Sequence, residues 1–314
     1  MTNPAPIVIV AGPTASGKSA LAVDLAEIFS GSVINADSMQ VYAELRVVTA
    51  RPDATAEARV PHRLFGVLPA VKPCSAGCWL EMATVAIAEA RADGRLPIVV
   101  GGTGMYLKVL MEGLAPVPKI PEPIRAEARA RHAELGGDAL RDALAELDPA
   151  AAKRLPAADG QRLIRAYEVV RATGRPLAEW QNERPPGPSV PGRFITIALE
   201  PTRDTLYQAA ECRFDAIMAA GALDEVGALA ALHLDPELPI VKALGVPELS
   251  RHLSGELTLE EATAKAKQAT RNFAKRQLTW LRQQMTPDYR IESLYSADAR
   301  DPVLDFLRKA LTVG

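Results

Sequence analysis

The chain has 314 residues, of which 48% are hydrophobic and 24% are charged, with a formal net charge of −2. This composition is ordinary for a globular protein and excludes a wholly disordered chain, while the small net charge requires any nucleic-acid surface to be local. No apolar run approaches ~20 residues and the N-terminus lacks a charged region, so we expect no membrane span, no export and a cytoplasmic location.

The first predicted elements enclose a phosphate-binding motif. Residues 6–10 are apolar and β-branched, which predicts a strand, and residues 19–29 follow a helical pattern. Between them, residues 12–19 read GPTASGKS and fit the pattern G-x-x-x-x-G-K-[ST]. Its glycines let backbone N–H groups converge on one anion, while Lys18 supplies a charge and Ser19 a hydroxyl for magnesium. The motif predicts a polyphosphate site without identifying the compound that carries the phosphates.

Two further strands are predicted to end beside this motif. Residues 32–36 form the second strand, which is followed by Asp37, and residues 96–100 form a fully apolar strand that leads into a glycine-rich turn with Thr103. Ligands of open α/β sheets bind at the carboxyl ends of the strands, so both side chains are expected near the motif. Asp37 can alternatively be an aspartate that holds magnesium through water, as in a nucleotide hydrolase.

A helical region interrupts this alternation of strands and helices. Four prolines lie between residues 116 and 123, and the sequence then becomes rich in Ala, Arg and Glu to about residue 183. RPPGPSVPG at 184–192 is typical of a linker, and residues 194–199 resume as a strand. We therefore predict an α/β protein: a P-loop NTPase-like three-layer parallel sheet core formed by residues 1–117 and 190–314, with a helical insertion domain at 118–189.

Helices are predicted at residues 203–219, 222–232 and 259–284. The last of them has an apolar side, which includes Phe273 and Trp280. Four cations fall within about 80° of one another elsewhere on this helix: Lys267, Arg271, Lys275 and Arg282. Such a strip is usually solvated surface. Because Lys and Arg outnumber Asp and Glu by seven to three between residues 258 and 290, contact with the phosphates of a polyanion is the hypothesis we carry forward.

Together these residues resemble the IPP transferase family, the bacterial tRNA dimethylallyltransferases. The matching stretches are GPTASGKS at 12–19, DSMQVY at 37–42, TARP at 49–52, PHRL at 61–64, GGTGMYLK at 101–108, DGQRLIRAYEVVRATGRPL at 159–177 and TRNFAKRQLTWLR at 270–282. They follow the family's order over nearly the whole chain. The resemblance implies transfer of a dimethylallyl group from its diphosphate to the exocyclic amine of the adenosine 3′ of certain tRNA anticodons.

The resemblance also implies roles for individual residues. Asp37, as general base, Thr103 and Lys18 would be catalytic. The diphosphate would be bound by Gly12, Pro13, Thr14, Ala15, Ser16, Gly17, Lys18, Ser19 and Arg213, with Mg2+ as cofactor on Ser19. The tRNA would be contacted by Asp37, Ser38, Met39, Gln40, Thr103, Arg125, Gln161, Arg162, Leu163, Ile164 and Arg165. The expected partners are the anticodon stem loop and dimethylallyl diphosphate, and we expect a monomer.

Three other functions fit parts of this pattern. An adenylate isopentenyltransferase, which makes free cytokinin, would share the phosphate motif, the aspartate and the donor, but it needs no helical insertion. A small-molecule kinase would use the same motif with Asp37 as base, and it would require a nucleoside triphosphate. A non-catalytic tRNA-binding protein would have no turnover to lose on substitution of Asp37.

Overall fold

The computed structural model describes residues 5–183, 187–188 and 190–312. The predicted linker at 184–192 lies partly outside the described residues. The chain divides into two compact units: residues 1–111 with 189–314 form the first, and residues 112–188 form the second. In the described part of the chain, none of the helices is long and apolar enough to cross a membrane.

Strands and helices alternate through most of the first unit. The strands are β1 (Pro6–Ala11), β2 (Gly31–Asn35), β3 (His62–Arg63), β4 (Leu96–Gly101), β5 (Arg193–Leu199) and β6 (Tyr289–Ile291). The α-helices, in chain order, are α1 (Lys18–Ile28), α2 (Ala54–Arg59), α3 (Ala76–Ala92), α4 (Gly104–Glu112), α5 (Glu122–Leu147), α6 (Pro149–Arg154), α7 (Gly160–Thr173), α8 (Leu177–Asn182), α9 (Arg203–Ala219), α10 (Ala222–Ala230), α11 (Val246–Leu253), α12 (Leu259–Gln284) and α13 (Ala297–Thr312). A short 3₁₀ helix spans Pro239–Lys242.

The strands form one parallel sheet in the order β3-β2-β4-β1-β5-β6. Ala11, the last residue of β1, is in register with Gly101 of β4 and Ala198 of β5. The carboxyl ends of these strands are therefore level, and the loops that follow them meet at one edge of the sheet. The predicted parallel α/β core is confirmed.

Helices cover both faces of this sheet because its strands are apolar on both sides. Along β1, Ile7 and Ile9 belong to one hydrophobic core, whereas Val8 and Val10 belong to the other, and all four are 0% exposed. The first core is completed by residues of α3, α4, α10, α11 and α12, and the second by residues of α1 and α13. The three-layer architecture follows from this alternation.

The second unit is helical and has its own core. Leu140 and Leu144 of α5 pack with Leu163 and Tyr167 of α7. The helical path of α5 is interrupted at Gly136, where φ is 79°. The spacing of the buried α7 residues matches the apolar stripe expected from an amphipathic helix.

Candidate functional site

The loop after β1 turns tightly before α1 begins inside the phosphate motif, at Lys18. Gly17 has φ 88°, a conformation that side chains disfavour. A β-carbon on Gly17 would lie 2.8 Å from the Tyr295 Cβ, and one on Gly12 would lie 2.8 Å from the Ser16 Oγ. Both the φ angle and the surrounding atoms therefore disfavour a side chain at Gly17, whereas a side chain at Gly12 would require the Ser16 hydroxyl to move. The N-terminus of α1 adds its dipole to the loop amides. The strand, loop and helix predicted around the motif are all present.

Gln277 of α12 connects this loop to the glycine-rich turn after β4. Its Oε1 accepts a hydrogen bond from the Thr14 N–H (2.8 Å), and its Nε2 donates to the Gly102 carbonyl (2.9 Å). Gln277 is 9% exposed, so these bonds are largely shielded from water. One amide of the phosphate loop is thus already occupied by protein. Sequence reasoning missed this residue, although a polar side chain four residues after Phe273, on the apolar side of the helix, was the available signal.

Replacing Gln277 by leucine should leave the Thr14 N–H and the Gly102 carbonyl without partners. An unpaired buried polar group costs about 1–3 kcal/mol, and because these two bonds are only partly buried, the free energy of unfolding should fall by about 1–3 kcal/mol in total. Denaturant unfolding measures this change. Gln283→Leu, at an exposed position of the same helix, is the matched control and should change little. Equal stability of the two variants would contradict a structural role for the Gln277 bridge.

Two cations lie beside the phosphate loop: Lys18 is buried and Arg213 is partly buried. Burial lowers the pKa of Lys18, nearby Asp37 opposes this shift and Arg213 adds to it, and the resulting pKa is about 8. The Lys18 Nζ donates to the Pro13 carbonyl at 3.3 Å. Burial also lowers the pKa of Arg213, against the opposing effect of Asp37. Unneutralised positive charge is thus concentrated at the loop, as an anion site requires.

Arg213 is held in place by two residues from other parts of the chain. Its Nη1 donates to the Thr14 Oγ1 (3.1 Å), and its Nη2 donates to the Thr49 carbonyl (3.1 Å). The guanidinium therefore links α9 to the phosphate loop. The predicted place of Arg213 near the diphosphate site is consistent with these contacts.

Asp37 and Thr103 lie in adjacent loops at the same edge of the sheet. The Asp37 Oδ1 accepts a hydrogen bond from the Met39 N–H (2.9 Å), which leaves Oδ2 for other partners. The Thr103 Oγ1 accepts one from the Ser38 N–H (3.0 Å) and lies 3.4 Å from the Ser38 Oγ. The two strand ends that the sequence placed beside the phosphate loop thus meet there.

Gln40 and Arg51 brace the loop between β2 and α2. The Gln40 Nε2 donates to the carbonyls of Thr49 (2.9 Å) and Ala50 (3.2 Å). The Arg51 Nη1 donates to the Tyr42 carbonyl at 2.9 Å. The side-chain amide of Gln40 is therefore engaged within the protein, and its contact with RNA stays a prediction.

Two cavities adjoin these residues and share Arg213 as a wall. The first, of about 240 Å³, is lined by Asp37, by apolar side chains that include Phe214 and Phe273, and by the cations Arg213, Lys242 and Arg276. The second is about 570 Å³ and is lined by Gly17, Lys18, Ser19, Arg46 and Arg51. Both cavities thus have cationic walls, but the first combines them with a carboxylate and apolar side chains, and the second combines them with the phosphate loop. Arg46 is a further cation that sequence reasoning did not assign to the site.

The donor set at Ser19 fits a magnesium ion held jointly with phosphates. No cluster of three or more His, Cys, Asp or Glu side chains suited to metal binding occurs in the described residues. Mg2+ commonly takes only one or two protein ligands and completes its shell with water and substrate phosphate oxygens. Ser19 lies beside Lys18 on the wall of the second cavity, where such phosphates would lie.

The remaining predicted RNA contacts lie in the second unit. Arg125 is in the first turn of α5, and residues 161–165 begin α7. Gln161 and Arg162 are exposed. Leu163 is 0% exposed within the core of this unit, so its side chain is not available for RNA in this conformation.

The other two residues of this series are partly engaged. Ile164 packs against the core of the second unit. The Arg165 Nη1 lies 2.6 Å from the Glu168 Oε1, so its charge is partly neutralised. Contact between these side chains and RNA stays a prediction.

Three of the four cations in the strip on α12 pair with carboxylates, so the charge of the strip is partly neutralised, and its contact with the phosphates of a polyanion stays a prediction. Lys267 pairs with Asp215 (2.6 Å), Arg271 pairs with Glu211, and Arg282 pairs with Glu200 (3.2 Å). Among the described residues, Lys275 has no carboxylate partner within ion-pair distance and is exposed. Helical spacing revealed the strip, but the acidic partners come from other parts of the chain.

The chain matches two family models and is similar to named relatives over most of its length. The family model described as IPP transferase matches residues 40–284, and the one described as Isopentenyl transferase matches residues 5–65. The chain is 56% identical to the tRNA dimethylallyltransferase of Rhodospirillum centenum over 91% of each chain. It is 51% identical to the protein of the same name from Parvibaculum lavamentivorans, over 96% of this chain and 95% of the relative.

Two solved structures share the fold over nearly the whole of this chain. A tRNA isopentenylpyrophosphate transferase from Bacillus halodurans is 31% identical, with a TM-score of 0.71 over 98% of this chain and 97% of that one. A eukaryotic dimethylallyltransferase, described as acting on tRNA, is 25% identical, with a TM-score of 0.81 over 97% of this chain and 80% of that one.

Proposed function

The chain belongs to the IPP transferase family, and from this premise we propose that it transfers a dimethylallyl group from dimethylallyl diphosphate to tRNA. The acceptor is the exocyclic amine of the adenosine 3′ of the anticodon in certain tRNAs, and diphosphate is released. Relatives that are 51–56% identical to this chain are named tRNA dimethylallyltransferase, which supports the proposal. We propose dimethylallyl diphosphate as the donor and a monomer as the acting species.

One observation carries the proposal: a phosphate loop and a carboxylate share a site divided by Arg213. The second cavity has the loop residues Gly17, Lys18 and Ser19, which suit the diphosphate. The first has Asp37 and apolar walls, which suit the adenine and the dimethylallyl chain, and it also has the cations Lys242 and Arg276. The carbon that changes partners would then lie near Arg213, with its leaving group on one side and its nucleophile on the other.

The cations assist departure of the diphosphate. As the bond between the allylic carbon and the diphosphate oxygen breaks, its electron pair stays on that oxygen. Positive charge then develops on the allylic carbon. Lys18, Arg213 and the loop amides stabilise the growing negative charge, as fixed donors do in other enzymes. Magnesium bound by Ser19 and the phosphates would supply additional charge neutralisation.

Asp37 acts on the acceptor amine as a general base. The adenine amine is a weak nucleophile because its lone pair is delocalised into the ring. As the nitrogen forms its bond to the allylic carbon it loses a proton, which we assign to the Asp37 carboxylate. The adenine has to leave the base stack to reach this carboxylate, and flipping costs least in a single-stranded loop. We propose that the second unit binds the anticodon stem loop.

The low pKa of Lys18 predicts that donor binding takes up a proton in alkaline solution. The free protein loses the Lys18 proton above about pH 8, but a diphosphate beside the ammonium raises that pKa and restores the charge. The affinity for dimethylallyl diphosphate should therefore fall above pH 8, by up to about tenfold per pH unit. Calorimetry in buffers of different ionisation enthalpy counts the proton, and Lys18→Met should abolish this uptake. An affinity for dimethylallyl diphosphate that does not change from pH 7 to 10 would contradict this coupling between donor binding and protonation of Lys18.

Donor selection tests the proposed reaction against phosphoryl transfer. The purified protein is incubated with magnesium, unmodified tRNA and either radiolabelled dimethylallyl diphosphate or radiolabelled ATP. We expect label in the tRNA only with dimethylallyl diphosphate, together with release of diphosphate. Phosphoryl transfer from ATP to some acceptor, without prenylation, would instead support a kinase.

A further inference from the structure

Asn35, the last residue of β2, is bonded to both main-chain polar groups of Asp37. It is 0% exposed. Its Oδ1 accepts a hydrogen bond from the Asp37 N–H (2.8 Å), and its Nδ2 donates to the Asp37 carbonyl (3.0 Å). The side chain thus holds the Asp37 backbone at the point where the chain leaves the sheet.

The same amide also ties this turn to the neighbouring strand. Its Nδ2 donates to the Leu64 carbonyl (3.1 Å), one residue after β3 ends. Strand β3 pairs with β2 only through Val33 and Ile34, so this bond extends the contact by one residue. The Leu64 φ is 65°, a value that costs energy for a leucine and shows that this turn is held by its surroundings.

The backbone of Asn35 is fixed as well. Its carbonyl accepts a hydrogen bond from the Trp79 Nε1 (2.8 Å), and Trp79 stacks on Tyr106 with ring centroids 4.5 Å apart. Ala36, the next residue, bonds through its N–H to the Val100 carbonyl (2.8 Å). Asp37 is therefore the first residue after β2 whose position depends on a side-chain amide rather than on the sheet.

We propose that Asn35 is a positioning residue for the reaction, acting through Asp37 by holding its backbone so that the carboxylate faces the first cavity. The inference rests on the proposed function, in which Asp37 accepts the proton. A carboxylate displaced by about 1 Å loses much of its catalytic effect, which sets the expected loss at roughly 10- to 100-fold in turnover. Binding of the diphosphate depends on a loop after another strand and should be unaffected.

A double-mutant cycle tests this dependence on Asp37. Asn35→Ala should lower single-turnover prenylation of tRNA by roughly 10- to 100-fold in the natural background. In the Asp37→Ala background, Asn35→Ala should lower the prenylation rate by less than about twofold, because the carboxylate that Asn35 positions is absent. Within each background, Asn35→Ala should change the dissociation constant for dimethylallyl diphosphate by less than about twofold. Equal losses in both backgrounds would overturn the inference.

Two further variants separate positioning from a general effect on folding. Ser32 of β2 is 0% exposed and its Oγ lies 3.4 Å from the Pro61 carbonyl, so Ser32→Ala removes a buried bond without touching Asp37. It should retain full turnover. Asn35→Ser keeps a weaker acceptor for the Asp37 N–H and should restore part of the turnover lost in Asn35→Ala.

Asn35→Ser and Ser32→Ala also test the positioning role when the double-mutant cycle cannot be completed. If Asn35→Ala does not fold, or if Asp37→Ala makes no measurable product, turnover of Asn35→Ser is compared with that of Ser32→Ala at matched donor affinity. Reduced turnover in Asn35→Ser alone supports positioning, and equal turnover overturns it. Absence of prenylation by the natural protein would contradict the proposed function instead, and is seen before any variant is made.

Discussion

Replacing Asp37 by asparagine should lower turnover roughly 10²- to 10⁴-fold, the range expected for loss of a general base. Asparagine retains an oxygen for the Met39 N–H, so the local turn should persist while the proton acceptor is lost. Single-turnover assays with saturating donor and tRNA measure the effect. The affinity for tRNA, measured by filter retention, should change little, because the proposed role of Asp37 is proton transfer during the reaction and not binding of the tRNA.

Asp235 provides a matched control for Asp37. Its Oδ1 accepts a hydrogen bond from the Glu237 N–H (2.8 Å), the same local pattern as in Asp37, but it is exposed and lines neither of the two cavities. Asp235→Asn should therefore leave turnover intact. Full activity of Asp37→Asn would contradict the assignment of the base.

Replacing Lys18 by methionine should reduce prenylation roughly 10²- to 10³-fold, comparable with loss of a fixed donor to a developing negative charge. Methionine fills a similar volume but carries no charge for the diphosphate. Donor affinity should fall as well, because the ammonium binds the ground-state phosphates too. Rapid-quench kinetics and equilibrium binding of dimethylallyl diphosphate separate the two losses.

The same substitution should stabilise the fold at neutral pH. Folding lowers the Lys18 pKa from 10.5 to about 8, so the unfolded chain binds more protons between these values and the free energy of unfolding rises with pH there. Below pH 8 the buried charge is a cost, and Lys18→Met should remove about 1–3 kcal/mol of it. Lys309→Met, at an exposed position, is the control. Lower stability together with retained activity would contradict both expectations.

Local sequence patterns predict most of the sheet and the edge of the sheet at which the candidate site lies. The apolar strands, together with the rule that ligands bind at their carboxyl ends, are sufficient to predict that Asp37 and Thr103 lie close together. The bounds predicted for α9 and α12 match those observed. Side-chain caps at Thr202 and Thr258 fix where these helices begin, which makes their limits readable from sequence.

Other features of the fold and the site depend on contacts between residues far apart in the sequence, which local sequence patterns do not reveal. Strand β3 has only two residues and exists because β2 pairs with it, so no alternation marks it. The sequence reading did not assign a helix at α13, where Pro302 lies inside the helical stretch and is normally taken as a break. Gln277 meets Thr14 across 263 residues of sequence, and only the folded chain reveals this bridge.

Nucleoside mass spectrometry tests the central claim most directly. The purified protein, magnesium and dimethylallyl diphosphate are incubated with unmodified tRNA in one reaction and with AMP in another, and both are digested to nucleosides. We predict isopentenyladenosine from the tRNA and none from AMP. Product from AMP alone, or from neither acceptor, would contradict the account.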